Sequence, residues 1–251
     1  MGKLETLQAV AATDRQARID LAAAFRLAVR MDLHEGVCNH FTLMLPDGKR
    51  FLLNAYGLHW AEVTASNLLA LDAQGNVLEG EGEAEKTAFY IHSRIHLANP
   101  RAACVLHTHM PYATALTLTE PGRLEMVEQN ALRFADDIAY DDTYNGLVVD
   151  DAEGDRLARV LGDKRVLFLA NHGVIVVGPT VAEAYDLLYY LERACRLQVL
   201  ARATGLPFRK VRLDVVRETY RMILADTPKY AGAHFAALKR LLERDEPEYA
   251  R

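Results

Sequence analysis

Two uninterrupted apolar runs, Val166–Leu169 and Val174–Val177, are separated by only Ala170-Asn171-His172-Gly173. So short a link joins neighbouring antiparallel strands, and runs without polar alternation belong to strands that are buried. The same construction recurs upstream. His40–Leu45 and Arg50–Asn54 flank Pro46-Asp47-Gly48, and Leu68–Asp72 and Val77–Leu78 flank Gln74-Gly75-Asn76. Pro, Asp, Asn and Gly are the residues that tight turns select. A further short apolar strand is expected over Ala103–His107. Helical spacing predicts helices over Asp14–Met31 behind an Asp cap, Glu85–Ala98, Pro111–Leu118 and Thr180–Ala203. Two more are expected over Asp214–Ala225 and Tyr230–Leu242. Strands that cluster centrally, with helices before, between and after them, predict an α/β sandwich around a mainly antiparallel sheet.

The chain has 251 residues, 51% of them hydrophobic and 25% charged, which suits a folded domain rather than a disordered segment. No internal repeat or Pro/Gly/Ser-rich linker divides it, so one domain is expected over 1–251, with a helical C-terminal extension from about residue 206. The net charge of −5 and the lack of a basic stripe argue against a nucleic-acid partner. No run approaches the roughly 20 apolar residues that span a bilayer, and Met1–Asp14 has no secretion signal. A membrane partner is not expected, and the location expected is cytoplasmic. The three cysteines, Cys38, Cys104 and Cys195, are odd in number and far apart, and read as reduced, buried thiols.

The chemistry lies in the nine histidines. His107 and His109 end the apolar segment that begins at Ala103. In extended backbone, residues two apart point to the same side, so both rings can face one point. His172, on the tight turn between two apolar runs, is held rigidly by its neighbours. Neutral imidazole is the commonest protein ligand for zinc, and three protein ligands leave the open position that a catalytic metal site needs. Taken alone, a His-x-His pair is more often a hydrogen-bonded surface pair.

Two segments carry a family resemblance. NPRAACVLHTHMPYATALT (residues 99–117) resembles the metal-binding segment of the class II aldolase/adducin family, and LFLANHGVIVVGPTVAEAY (167–185) resembles its second metal segment, in which His-Gly precedes a long helix. LDAQGNVLEG (71–80) and IHSRIHLANP (91–100) resemble the hairpin and helix between them, so the similarity spans roughly residues 15 to 205. The resemblance implies a three-layer α/β/α sandwich, a homotetramer with sites near subunit interfaces, and a divalent metal on His107, His109 and His172. That metal is expected to be zinc, with manganese or iron as alternatives.

The sequence departs from the family's sugar-phosphate aldolases at three places. Ala88 stands where they carry a proton-transferring carboxylate. Glu85, three residues earlier, is the nearest replacement, although with Glu81 and Glu83 it also reads as a solvated charge run favouring a helix N-terminus. The two small-residue loops that hold phosphate correspond here to segments containing Asn39 and His40, and Tyr56 and His59, with bulky rings in place of small groups. Such a wall suits a planar carboxylate or keto acid, aromatic ones included, rather than a phosphosugar; core packing is the alternative for His59 beside Trp60. His92, four residues after Ala88, reads as support for the metal centre or as a helix–sheet hydrogen bond, and with Glu85 is the candidate for proton transfer. His34, His96 and His234 have no informative context. The expected function is a metal-dependent lyase, acting by retro-aldol cleavage or decarboxylation on a small non-phosphorylated hydroxy- or oxo-acid. A mononuclear non-haem iron oxygenase and a non-catalytic adducin-like interaction module are the alternatives.

Overall fold

Alternation along two central strands sorts the core into two layers. In β8 (Gly173–Gly178), Val174 and Val176 join one buried cluster while Ile175 and Val177 join another. In β5 (Cys104–Thr108), Cys104 and Leu106 face the first cluster and Val105 the second. This is the period-2 pattern of a sheet covered on both faces. The computed structural model describes residues 3–251, with side chains from residue 12 onward.

Eight strands form one sheet in the order β4-β3-β2-β1-β5-β8-β7-β6. Besides β5 and β8 these are β1 (His40–Met44), β2 (Phe51–Leu53), β3 (Leu69–Leu71), β4 (Val77–Glu79), β6 (Ile138–Asp141) and β7 (Val166–Leu169). Every pairing is antiparallel except β6 with β7, so the sheet is mixed with one parallel pair. Helices α1 (Lys3–Arg30), α3 (Pro111–Thr117) and α5 (Val181–Arg202) cover the first face, and α2 (Lys86–Ala98) and α4 (Asp151–Leu161) the second. Helix α6 (Leu213–Asp245) packs outside α5. The expected α/β sandwich and its hairpins are present. Among the described residues no helix is long and apolar enough to cross a membrane.

Three local expectations are corrected. Asp14 does not cap α1, which runs through it from Lys3; its carboxylate instead accepts from Arg50 Nη2 at 2.7 Å. The two helices expected at the C-terminal end are one, and Pro228 lies inside it. Thr227 Oγ1 donates to the Ile223 carbonyl there (2.8 Å), and α6 is tied to α5 by Tyr190–Tyr230 (2.6 Å) and His234–Asp186 (2.7 Å). A proline costs a helix an N–H bond, and these contacts lie on either side of the place where it is lost. Cys38 is exposed, whereas Cys104 and Cys195 are buried, with burial pushing both thiols up.

Two features of the fold place the site. The first is the register of β1 on β5, which sets His40 opposite His107 and Thr42 opposite Val105, so that His40, Thr42 and His107 share the α2-covered face. The second is Gly173. A Cβ added there would lie 2.6 Å from the Thr108 carbonyl oxygen and 2.7 Å from His109 Cδ2. Only glycine allows the turn before β8 to approach the end of β5 so closely.

Candidate metal centre

His107 lies within β5, His109 just beyond its end, and His172 on the β7–β8 turn. That turn is braced: Asn171 adopts φ +57°, its N–H donates to the Thr117 carbonyl (3.1 Å), and the His172 N–H donates to Leu169 (3.1 Å). The three rings meet with centroids 4.8–5.0 Å apart, and one ligand nitrogen from each lies within 4.8 Å of the others.

The outer nitrogens explain why the inner ones are free. The His107 Nδ1–H donates to the Val174 carbonyl (3.0 Å), which leaves Nε2 as a lone pair. His109 Nδ1 lies 2.6 Å from Glu35 Oε2, and its backbone N–H donates to Asn39 Oδ1 (3.0 Å). His109 Nε2 is buried and has no hydrogen-bond partner. An orphaned buried nitrogen is costly unless something occupies the space it faces. Burial, and after it the neighbouring His172, holds His107 well below the ordinary histidine range; burial and then His109 bring His172 to about 4. Converging ring nitrogens, two of them on rings whose outer nitrogens are tied to a carbonyl and a carboxylate, fit a divalent cation.

The other expected site residues divide. Asn39, at φ +71°, braces His109 through its side chain. His40 packs 5.0 Å from the His107 ring, and burial brings it to about 3. His92 is fully buried behind His40 on α2. Glu85 caps α2: its Oε2 accepts from the Ala88 N–H (2.7 Å) and the Thr87 hydroxyl, and lies 3.9 Å from His40 Nε2. Partial burial works to raise the Glu85 carboxyl, but these hydrogen bonds outweigh it and hold the group below its ordinary value. Tyr56 is exposed. His59 caps the 3-10 turn 60–62 by accepting from the Ala61 N–H (3.0 Å), and meets His34 edge-on at 5.3 Å. Among the described residues neither Tyr56 nor His59 has a hydrogen bond or ring contact with the triad.

Three neighbours of the site escape the sequence reading. Glu35 lies in a loop without a motif. Thr42, two residues after His40 on a strand, carries a signal in that spacing. Tyr144, 6.3 Å from the His172 ring, sits on an exposed loop. A cavity of about 660 Å³ on the Thr117–Arg123 side of the turn includes Asn171 but none of the three histidines.

The chain is similar to known proteins over most of its length. The family described as "Class II Aldolase and Adducin N-terminal domain" matches residues 19–199. A crystal structure of an aldolase II superfamily protein from Pseudomonas syringae is 33% identical, with a TM-score of 0.88 over 95% of this chain and 96% of that one. An L-fuculose 1-phosphate aldolase from Glaciozyma antarctica is 25% identical, with a TM-score of 0.85 over 96% of this chain and 94% of that one. Mouse alpha-adducin is 33% identical over 90% of this chain, which spans 33% of that longer protein.

Proposed function

Since this chain belongs to the class II aldolase and adducin N-terminal domain family, we propose that it is a metal-dependent lyase acting on a small hydroxy- or oxo-acid without a phosphate group. The observation that carries this reading is the triad: three imidazoles converge, His109 Nε2 is buried without a partner, and the outer nitrogens of His107 and His109 are anchored. His107, His109 and His172 would hold the cation, with zinc first and manganese or iron as alternatives. When bound, the cation supplies Lewis-acid stabilisation of the negative charge that develops on a substrate oxygen during C–C cleavage.

The chain's own groups define the rest. Glu35 and the Val174 carbonyl orient two of the rings. Asn39 and His40 border the triad, and the substrate is proposed to lie on their side of it. Ala88 is fully buried and offers no proton-transfer group, and the one carboxylate near His40, Glu85, is engaged as a helix cap. With Glu35 turned to His109 and Glu85 capping α2, the site favours decarboxylation, or retro-aldol cleavage in which an imidazole accepts the hydroxyl proton. Beside Tyr144, the loop exposes Leu147 (75%) and Val149 (61%), which supports a working oligomer, a tetramer by the family resemblance.

A second reading has its own support. Similarity to alpha-adducin and the alanine at 88 together favour a non-catalytic interaction module. Metal analysis of protein purified without added metal, joined to a screen of hydroxy- and oxo-acids in air and without oxygen, separates the readings. A lyase turns over an acid equally with and without oxygen, an iron oxygenase only in air, and a module neither. Turnover of fuculose 1-phosphate or another phosphorylated ketose above about 10⁴ M⁻¹s⁻¹ in kcat/KM would refute the non-phosphorylated class.

A further inference from the structure

Behind the triad runs a line of buried polar groups. His40 and Thr42 project from β1 toward α2, and His92 and His96, one turn apart on α2, project back; none is more than 7% exposed. His96 Nδ1 is 2.7 Å from the Ala102 carbonyl oxygen, and Thr42 Oγ1 is 2.8 Å from His96 Nε2 and 2.7 Å from His92 Nδ1. His92 Nε2 is 2.8 Å from His40 Nδ1.

The direction of every hydrogen bond follows from one end. A carbonyl only accepts, so His96 donates from Nδ1. A neutral imidazole has one donor and one acceptor, so His96 Nε2 accepts the single Thr42 hydroxyl proton. The Thr42 oxygen then accepts from His92 Nδ1–H, and His92 Nε2 accepts from His40 Nδ1–H. What remains is a lone pair on His40 Nε2. Among the described residues its polar neighbour is Glu85 Oε2, 3.9 Å away and itself an acceptor. Reversing the chain would need a second proton on His96. Burial brings that ring to about 4. No change of charge is involved, only the choice of tautomer.

We propose that the His96–Thr42–His92 chain is a positioning device that locks His40 in its Nδ1–H tautomer, so that the Nε2 lone pair beside the triad accepts a hydroxyl group of the substrate. The substrate class narrows accordingly. Two acceptors facing one another across 3.9 Å are relieved by a ligand that brings a donor, which selects a hydroxy-acid over its oxo counterpart. The choice of ligand rests on the lyase reading, whereas the tautomer does not.

The test is nitrogen NMR of ¹⁵N-histidine protein, in which protonated and lone-pair ring nitrogens resonate far apart. In metal-free wild-type protein, His40, His92 and His96 should all carry their proton on Nδ1. Thr42→Val, which removes the hydroxyl at nearly constant volume, should abolish the fixed His40 tautomer, and Thr42→Ser should restore it. In zinc-loaded protein, lactate should shift the His40 Nε2 signal and pyruvate should not, and Thr42→Val should lose that difference. Zinc affinity should be the same in all three proteins. A His40 proton on Nε2, a doubly protonated His40, or an unchanged His40 spectrum in Thr42→Val overturns the proposal. So does an equal response to lactate and pyruvate. Should Thr42→Val not fold, the wild-type tautomers and the two acids decide alone. Tautomers as stated with no zinc bound would refute the lyase reading and leave the positioning device standing.

Discussion

The triad and the chain behind it place the same side chain in opposite circumstances. His107, His109 and His172 turn nitrogens toward one another, and one of these is buried without a partner. In His92 and His96 both ring nitrogens are paired. Unpaired lone pairs that converge make a receptor, because the polar-burial penalty is relieved only when something binds. Paired nitrogens make a frame, because the penalty is already relieved within the protein. His40 belongs to both, with one nitrogen in the frame and the other beside the receptor.

Perturbations should strike both regions, one, or neither, with effects falling in that order. Acid strikes both. His96 has its folded value depressed to about 4 by burial, against an unfolded value of about 6.5. Stability from this group is therefore complete above about pH 6.5 and is lost as pH falls toward 4, because the unfolded chain binds the proton first. Between pH 7 and 5 His96 alone should cost about 2 kcal/mol. His40, His92, His107 and His172 are depressed in the same direction and add to it. Urea unfolding of the metal-free protein across that range checks this, and a flat profile would show that the rings are hydrated.

Glu35→Gln strikes the triad alone. The carboxylate 2.6 Å from His109 Nδ1 orients that ring, and removing its charge should weaken zinc binding by about 10- to 100-fold with little change in stability. An unaltered zinc affinity by calorimetry would remove Glu35 from the account.

His59→Ala should strike neither region. Its ring caps the 3-10 turn 60–62 and packs on His34, so the loss should be about 1 kcal/mol of stability with zinc affinity unchanged. If the variant instead keeps its melting temperature and loses kcat/KM by about 100-fold, His59 is a substrate group.

What could be read in advance was local. The hairpin turns at Pro46-Asp47-Gly48 and Asn171-His172-Gly173 announce themselves, because turn residues act through their own backbone. The His107–His109 spacing is likewise a property of one strand. Helix α4 carries local signals too, the Asp150 cap and the stop at Gly162, yet no element was expected between Leu118 and Val166 and it was missed. Contacts between distant segments were not legible. Asp14 looks like a cap until Arg50 claims it, and Pro228 looks like a break until the contacts of α6 with α5 hold the helix through it. His96 has no context in sequence. Its partner Thr42 lies 54 residues away, and only the docking of α2 on β1 brings them together. Glu35 reaches His109 across 74 residues for the same reason. The receptor was visible in outline, and its frame was not.

The central claim is that His107, His109 and His172 form a cation site, and zinc titration of metal-free protein by calorimetry tests it most directly. Wild-type protein and His234→Ala, whose ring is bound to Asp186 away from the triad, should each bind one zinc per chain with the same affinity. Alanine at His107, His109 or His172 should abolish tight binding. Undiminished affinity and stoichiometry in any one of those three variants would contradict the account.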